Sequence, residues 1–145
     1  MEHIFTIGFT KKSLKQFIEL LKNADVQTVI DVRLRNTSQL AGWSKYPDFA
    51  YLLAAGFGIH YEHHPEFAPT NELLDTYKKA GDWQWYEEQF NRLLAARDLT
   101  ASGQALLTKE NICLLCAEPT ADKCHRRLVA DYLAQLNADV QITHL

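Results

Sequence analysis

The sequence predicts an α/β fold: a single three-layer domain over residues 1–145, with a mostly parallel sheet of about five strands and helices on both faces. Three observations predict it. Short β-branched runs alternate with segments whose apolar residues recur at helical spacing. Serine, threonine and aspartate stand where helices start, and glycine stands where they stop. No linker rich in Gly, Ser or Pro divides the chain, and no internal repeat is visible. With 145 residues, 47% of them hydrophobic, the chain can bury a core without disulfide staples and is far from the composition of a disordered protein.

Residues 3–7 (HIFTI) and 28–32 (TVIDV) read as strands. Between them Leu14, Phe17, Ile18 and Leu21 share a helical face, Gly8 occupies the strand-to-helix turn, and Thr10 or Ser13 caps the helix. A right-handed parallel crossover is the expected connection. After a polar stretch over residues 33–46, Pro47 opens a helix carrying Phe49, Leu52 and Leu53 that stops at Gly56, and a third strand covers residues 58–62. Thr70 caps a helix bearing Leu73, Leu74 and Tyr77, which Gly81 breaks. Asp82 caps another bearing Trp85, Tyr86, Phe90, Leu93 and Leu94. Residues 112–117 (ICLLCA) read as a buried strand, 124–136 as a helix and 140–144 as a closing strand.

Several function classes fall away on composition. No apolar run approaches the roughly 18 residues of a membrane span, and MEHIFTIG lacks the layout of a secretory signal, so a cytoplasmic protein with no membrane partner is expected. An odd count of three cysteines without an export signal points to reduced thiols. The net charge of −3 argues against a chain-wide grip on nucleic acid and leaves room for a local basic face, for which Lys78, Lys79 and Arg92 are candidates if they are not merely solvated.

In such sheets ligands bind at the carboxyl ends of strands. There the sequence places residues 6–10, then Asp31 and Arg33, then Glu118 followed by Cys124, His125 and Arg126. A strand period of two sets Asp31 and Arg33 on one side, either into a site or paired with each other. The same period sends Cys113 and Cys116 to opposite faces, so they do not act together. Cys116, Cys124 and His125 offer at most three metal ligands with no evident fourth, and adjacent Cys124 and His125 at a helix start diverge by about 100°. No metal and no other cofactor is expected. The start of that helix, beside His125 and Arg126, favours anion binding, with a nucleophilic Cys124 as the competing use. Trp43, in a polar segment, reads as a binding element or a loop anchor, whereas Trp85, Tyr86 and Phe90 have core spacing. His60, His63 and His64 read as strand surface and turn.

TIG at residues 6–8, DVR at 31–33, SQLAGWSK at 38–45, GIHYEHHPEFAPT at 58–70 and CAEPTADKCHRRLVADYL at 116–133 together resemble the DUF488 family over nearly the whole chain, in the branch with SQLAG-aromatic-x-K and APT motifs. The chain departs from the family pattern at Phe9-Thr10, where many members have His-Ser, and at Phe67-Ala68-Pro69, where many have Leu-Gly-Gly. The resemblance implies excision of a modified pyrimidine, such as 5-hydroxymethyluracil, from DNA, an activity associated with some members. For that chemistry Asp31 and Glu118 are the candidate carboxylates and Lys45 a candidate Schiff-base amine. Thr6, Gly8, Arg33, Trp43, Tyr61, His125 and Arg126 are the candidate substrate-binding residues, and DNA with a modified base is the expected partner. Two alternatives stay open: a sulfur-transfer enzyme using Cys124, and a non-catalytic module that binds nucleotides or nucleic acid.

Overall fold

The computed structural model describes residues 3–37, 42–118 and 121–145. Residues 38–41 of the SQLAGWSK motif and residues 119–120 of the CAEPT stretch lie outside the described residues.

Five strands form one parallel sheet: β1 (His3–Gly8), β2 (Thr28–Asp31), β3 (His60–His63), β4 (Ile112–Cys116) and β5 (Gln141–His144), in the order β3-β2-β4-β1-β5. Every residue of β2 and β4 is buried, as expected for inner strands covered on both faces.

The helices are α1 (Leu14–Asn23), α2 (Asp48–Tyr51, continuing as a π turn over Leu52–Gly56), α3 (Asn71–Ala80), α4 (Trp83–Arg97), α5 (Thr100–Leu107) and α6 (His125–Leu136). Ser13, not Thr10, caps α1: its hydroxyl accepts from Gln16 N at 3.1 Å while Gln16 Oε1 accepts from Ser13 N at 3.0 Å, a reciprocal capping box. Thr70 and Asp82 cap α3 and α4 as the sequence indicates, and Gly81 ends α3 in the left-handed conformation that its φ of 67° requires.

Helix α5 has no counterpart in the sequence reading. Its N-cap, Leu99, offers no side-chain hydrogen bond, and a glycine sits at its centre. That glycine has a packing reason, since a Cβ on Gly103 would lie 2.5 Å from Leu136 Cδ1 of α6. Close approach of two helices has overridden helix propensity.

The two faces of the sheet carry separate cores. Ile4, Ile30, Ile112 and Leu114 pack beneath Phe90 and Leu94 of α4 and Leu128, Val129 and Leu133 of α6. Ile7, Val29, Cys113 and Leu115 pack beneath Phe17 and Leu21 of α1 and beneath Phe49 and Leu53. The chain leaves β1 and β2 toward α1 and α2 on the second face, and leaves β3 and β4 toward α3–α6 on the first. Because β2 and β4 are neighbours, their outgoing segments part to opposite sides and open a crevice at the carboxyl edge. Among the described residues no helix is long and apolar enough to cross a membrane.

Candidate functional site

A cleft of about 370 Å³ occupies that crevice. One wall is aromatic: Tyr77 of α3 and Trp83 and Tyr86 of α4 pack on one another, with Trp83 and Tyr86 stacked at 5.2 Å and Tyr77 and Tyr86 4.8 Å apart between ring centroids. The opposite side is built by residues that run from the end of β4 to the start of α6, namely Cys116, Glu118, Lys123, Cys124 and His125. Exposed Arg35 and Lys78 complete the rim with Lys123, so three cations surround the opening.

The floor is the stretch that joins β4 to α6. Cys116 Sγ lies 3.5 Å from His125 Nδ1. His125 Nε2 donates to the Val32 carbonyl at 2.7 Å, which fixes the tautomer and leaves Nδ1 unprotonated; Cys116 Sγ stands almost equally far from the two ring nitrogens, 3.7 Å from Nε2, and the Phe90 ring packs edge-on against the imidazole. The ligand atoms of Cys116, Cys124 and His125 all lie within 4.8 Å of one another, and all three residues are buried.

The expected divergence of Cys124 and His125 is therefore corrected. Cys124 is the N-cap of α6, with φ −137° and ψ 138°, so the helical step of about 100° between adjacent side chains does not apply to it. Cys113 does face the other way, buried in the second core, where desolvation pushes its thiol up. Between the two remaining thiols, a hydrogen bond from Cys124 holds Cys116 below the usual thiol range against the opposing effect of burial, helped by the Ala117 N–H and the charge of Arg126. The same hydrogen bond, together with burial, pushes Cys124 well up. The environment thus favours Cys116, not Cys124, as thiolate.

Glu118 is exposed at the cleft, and its backbone is held from behind. Arg126, fully buried, donates from Nη1 to the Glu118 carbonyl at 2.6 Å and from Nε to Thr6 Oγ1 at 3.3 Å. Gly8 makes this approach possible, because a Cβ there would lie 1.6 Å from the Glu118 carbonyl oxygen and 2.9 Å from Arg126 Nη1. Thr6 is buried and hydrogen-bonded to His144 Nδ1 at 2.6 Å, so Thr6, Gly8 and Arg126 position the loop and do not line the cleft.

Asp31 and Arg33 lie on the other face. Arg33 Nε donates to Asp31 Oδ1 at 2.9 Å and Nη2 to Oδ2 at 2.7 Å, in the two-pronged geometry of a strong ion pair, and both side chains are buried. The Tyr61 hydroxyl donates to Oδ2 as well, while Asn36 Nδ2 donates to the Tyr61 oxygen at 3.0 Å. The Phe9 ring covers the guanidinium 5.2 Å from its carbon. The pair closes on itself, the structural one of the two arrangements that the strand period left open.

Trp43 packs against Phe9, Phe17 and Phe49 with ring centroids 5.0 to 6.2 Å away and anchors its loop to the second core. Lys45 is exposed beyond that loop and does not border the cleft. Of the ten residues expected at the site, the structure brings Glu118 and His125 together in the cleft. Arg33 borders it while directing its guanidinium away.

Sequence reasoning passed over Tyr77, Arg35 and Lys123 as cleft residues, while Tyr86, whose spacing also fits the core, does border the cleft. A signal existed for α3: Leu74, Tyr77 and Lys78 fall at helical spacing on the flank beside its buried face and all reach the cleft.

A family model described as Domain of unknown function DUF488 matches residues 13–133. No curated protein and no solved structure matches the chain.

Proposed function

The chain belongs to the DUF488 family, and on that premise we propose that it is a DNA-acting N-glycosidase whose cleft takes an extruded modified pyrimidine, with 5-hydroxymethyluracil as the representative base. The observation that carries the reading is the pairing, across one cleft, of the Tyr77–Trp83–Tyr86 wall with the exposed carboxylate of Glu118. A flipped base needs an aromatic or apolar surface to replace its lost stacking. The cations at the rim, Arg35, Lys78 and Lys123, suit the phosphates that flank such a base, in a chain whose net charge is −3.

Breaking the N-glycosidic bond places positive charge on the sugar and negative charge on the departing base. Glu118 is the carboxylate for the sugar and for orienting the attacking water, because it reaches the cleft, whereas Asp31 is buried and already accepts from Arg33 and Tyr61. The free N–H groups at the start of α6, beside Cys124 and His125, favour negative charge on the leaving base or on a phosphate. Lys45, away from the cleft, has no part in the chemistry, so no Schiff-base adduct forms and borohydride traps none.

The test is release of free base from oligonucleotides carrying 5-hydroxymethyluracil, in single strands and in duplexes, followed by chromatography. Wild type is expected to release the base, and Glu118→Gln to lower the rate by roughly 10²-fold or more without loss of fold. Binding of the oligonucleotide without release from any modified DNA tried would overturn the enzymatic reading in favour of a nucleic-acid binding module. Sulfur transfer through Cys124 is disfavoured by surroundings that raise that thiol.

A further inference from the structure

We propose that Cys116, Cys124 and His125 bind one divalent transition-metal ion of the zinc class, with its fourth coordination position open to the cleft. The inference does not rest on the base-excision reading. Its starting point is geometry. A tetrahedral zinc with Zn–S near 2.3 Å and Zn–N near 2.0 Å places a sulfur and a nitrogen ligand about 3.6 Å apart. Cys116 Sγ and His125 Nδ1 are 3.5 Å apart, and Cys124 Sγ lies within 4.8 Å of both.

The imidazole already has the tautomer a ligand requires, and a turn of the Cys116 side chain, whose sulfur is 3.5 Å from Nδ1 and 3.7 Å from Nε2, brings the sulfur beside a metal on Nδ1. Its Nε2–H is spent on the Val32 carbonyl at 2.7 Å, which leaves the Nδ1 lone pair for the metal, and hydrogen bonding of the far nitrogen is the usual support of a ligating histidine. Charge balance points the same way. All three residues are buried, and two thiolates with one divalent ion sum to zero, so the site takes the ion without leaving net charge in the interior. Two soft thiolates and an imidazole select zinc over magnesium or calcium, which prefer oxygen.

Among the described residues no fourth His, Cys, Asp or Glu completes the group. All three ligands border the cleft, so the fourth position falls to water or to a donor atom of the bound molecule. Three protein ligands with one open position is the arrangement of reactive zinc sites, where the ion lowers the pKa of bound water or polarises a substrate oxygen. Glu118, two residues past Cys116 and exposed to the same cleft, is the nearby carboxylate able to take a proton from such a water.

The experiment uses untagged, fully reduced wild-type protein titrated with Co²⁺ and, separately, loaded with Zn²⁺, passed over a sizing column and assayed for metal. The expected result is one equivalent per chain, with thiolate-to-cobalt charge-transfer absorption and the intense visible bands of a tetrahedral site. Cys113→Ala, on the opposite face, keeps the spectrum. Cys116→Ser and Cys124→Ser, checked for fold by circular dichroism, lose the charge-transfer intensity of one sulfur and weaken binding by more than about 10²-fold, beyond the 10–100-fold cost of losing only a ligand's hydrogen-bond partner. Folded, reduced wild type that takes up no cobalt with these bands would overturn the proposal whatever the variants do, as would loss of the bands in Cys113→Ala with retention in Cys124→Ser. Because no DNA is present, failure of base release leaves this result untouched, and failure of metal binding leaves the excision assay to be judged by itself.

Discussion

Asp31 and Glu118 reach the same edge of the sheet and face opposite sides of it. On the Asp31 side the chain turns toward α1 and α2, and the carboxylate is enclosed with Arg33, Tyr61 and the rings of Phe9 and Phe49. On the Glu118 side the chain turns toward α6, the carboxylate is exposed, and aromatic and cationic groups surround an open cleft. Equivalent strand ends of one sheet have thus become a closed ion pair and an accessible site. What separates them is the switch in connection direction between β2 and β4. A carboxylate at a strand end is therefore not by itself a catalytic candidate; the face onto which its strand sends the chain decides whether solvent and substrate can meet it.

The largest effect expected from this division is at Asp31. Asp31→Asn leaves the buried guanidinium of Arg33 without its counter-charge, and breaking a buried pair from one side costs about 3–5 kcal/mol. Urea unfolding is expected to show that loss as a lower midpoint with an unchanged slope. A variant as stable as wild type would mean that the two faces are not divided as described.

Gly8→Ala probes the link between the faces. Its Cβ collides with the Glu118 carbonyl, and relief requires the loop to move away from Arg126. A loss of about 1–3 kcal/mol is expected from overpacking, together with a fall in base release, since Glu118 moves with its backbone. Loss of stability with normal turnover would separate loop position from chemistry and count against Glu118.

His64, at the end of the β3 edge, belongs to neither site and gives the smallest effect. Burial opposes its charge, but hydrogen bonds to Glu62 at 2.8 Å and Glu66 at 3.0 Å prevail and raise its pKa above the ordinary 6.5. A raised folded pKa means that the stabilisation is fully present below the unfolded value and is lost as pH rises through the folded one. Glu62 is held low, against the effect of burial, by its hydrogen bonds to His64 and Lys109, so its own contribution is lost at the acidic end. His64→Gln is accordingly expected to cost less than about 1 kcal/mol near pH 6 and nothing near pH 9, measured by thermal melts at each pH. A cost that grows with pH would contradict the assignment.

Most of the architecture was legible because it depends on local signals: β-branched runs for β1 and β2, an apolar run for β4, and Ser13, Thr70 and Asp82 for three helix starts. Helix α5 was not, since Leu99 gives no cap and Gly103 is chosen for contact with Leu136, 33 positions along the chain and outside any local window. The site was legible as an edge and illegible as a cavity. Period two placed Asp31 and Arg33 together and set Cys113 apart from Cys116, but which face would open depended on strand order, which no short motif encodes. Convergence of Cys116, Cys124 and His125 was hidden for a narrower reason. Whether Cys124 caps α6 or belongs to it is a matter of one residue, and that residue decides whether the thiol and the imidazole diverge or meet.

The central claim is that the working carboxylate is Glu118 and that Asp31 is structural. It is tested most directly by measuring base release from one 5-hydroxymethyluracil oligonucleotide by wild type, Asp31→Asn and Glu118→Gln, each normalised to the folded fraction at a temperature below all three melting transitions. The account predicts that Glu118→Gln keeps its stability and loses roughly 10²-fold or more in rate, while Asp31→Asn melts earlier and turns over at close to the wild-type rate per folded molecule. A normal rate in Glu118→Gln beside a comparable collapse in folded Asp31→Asn would place the chemistry on the closed face and contradict it.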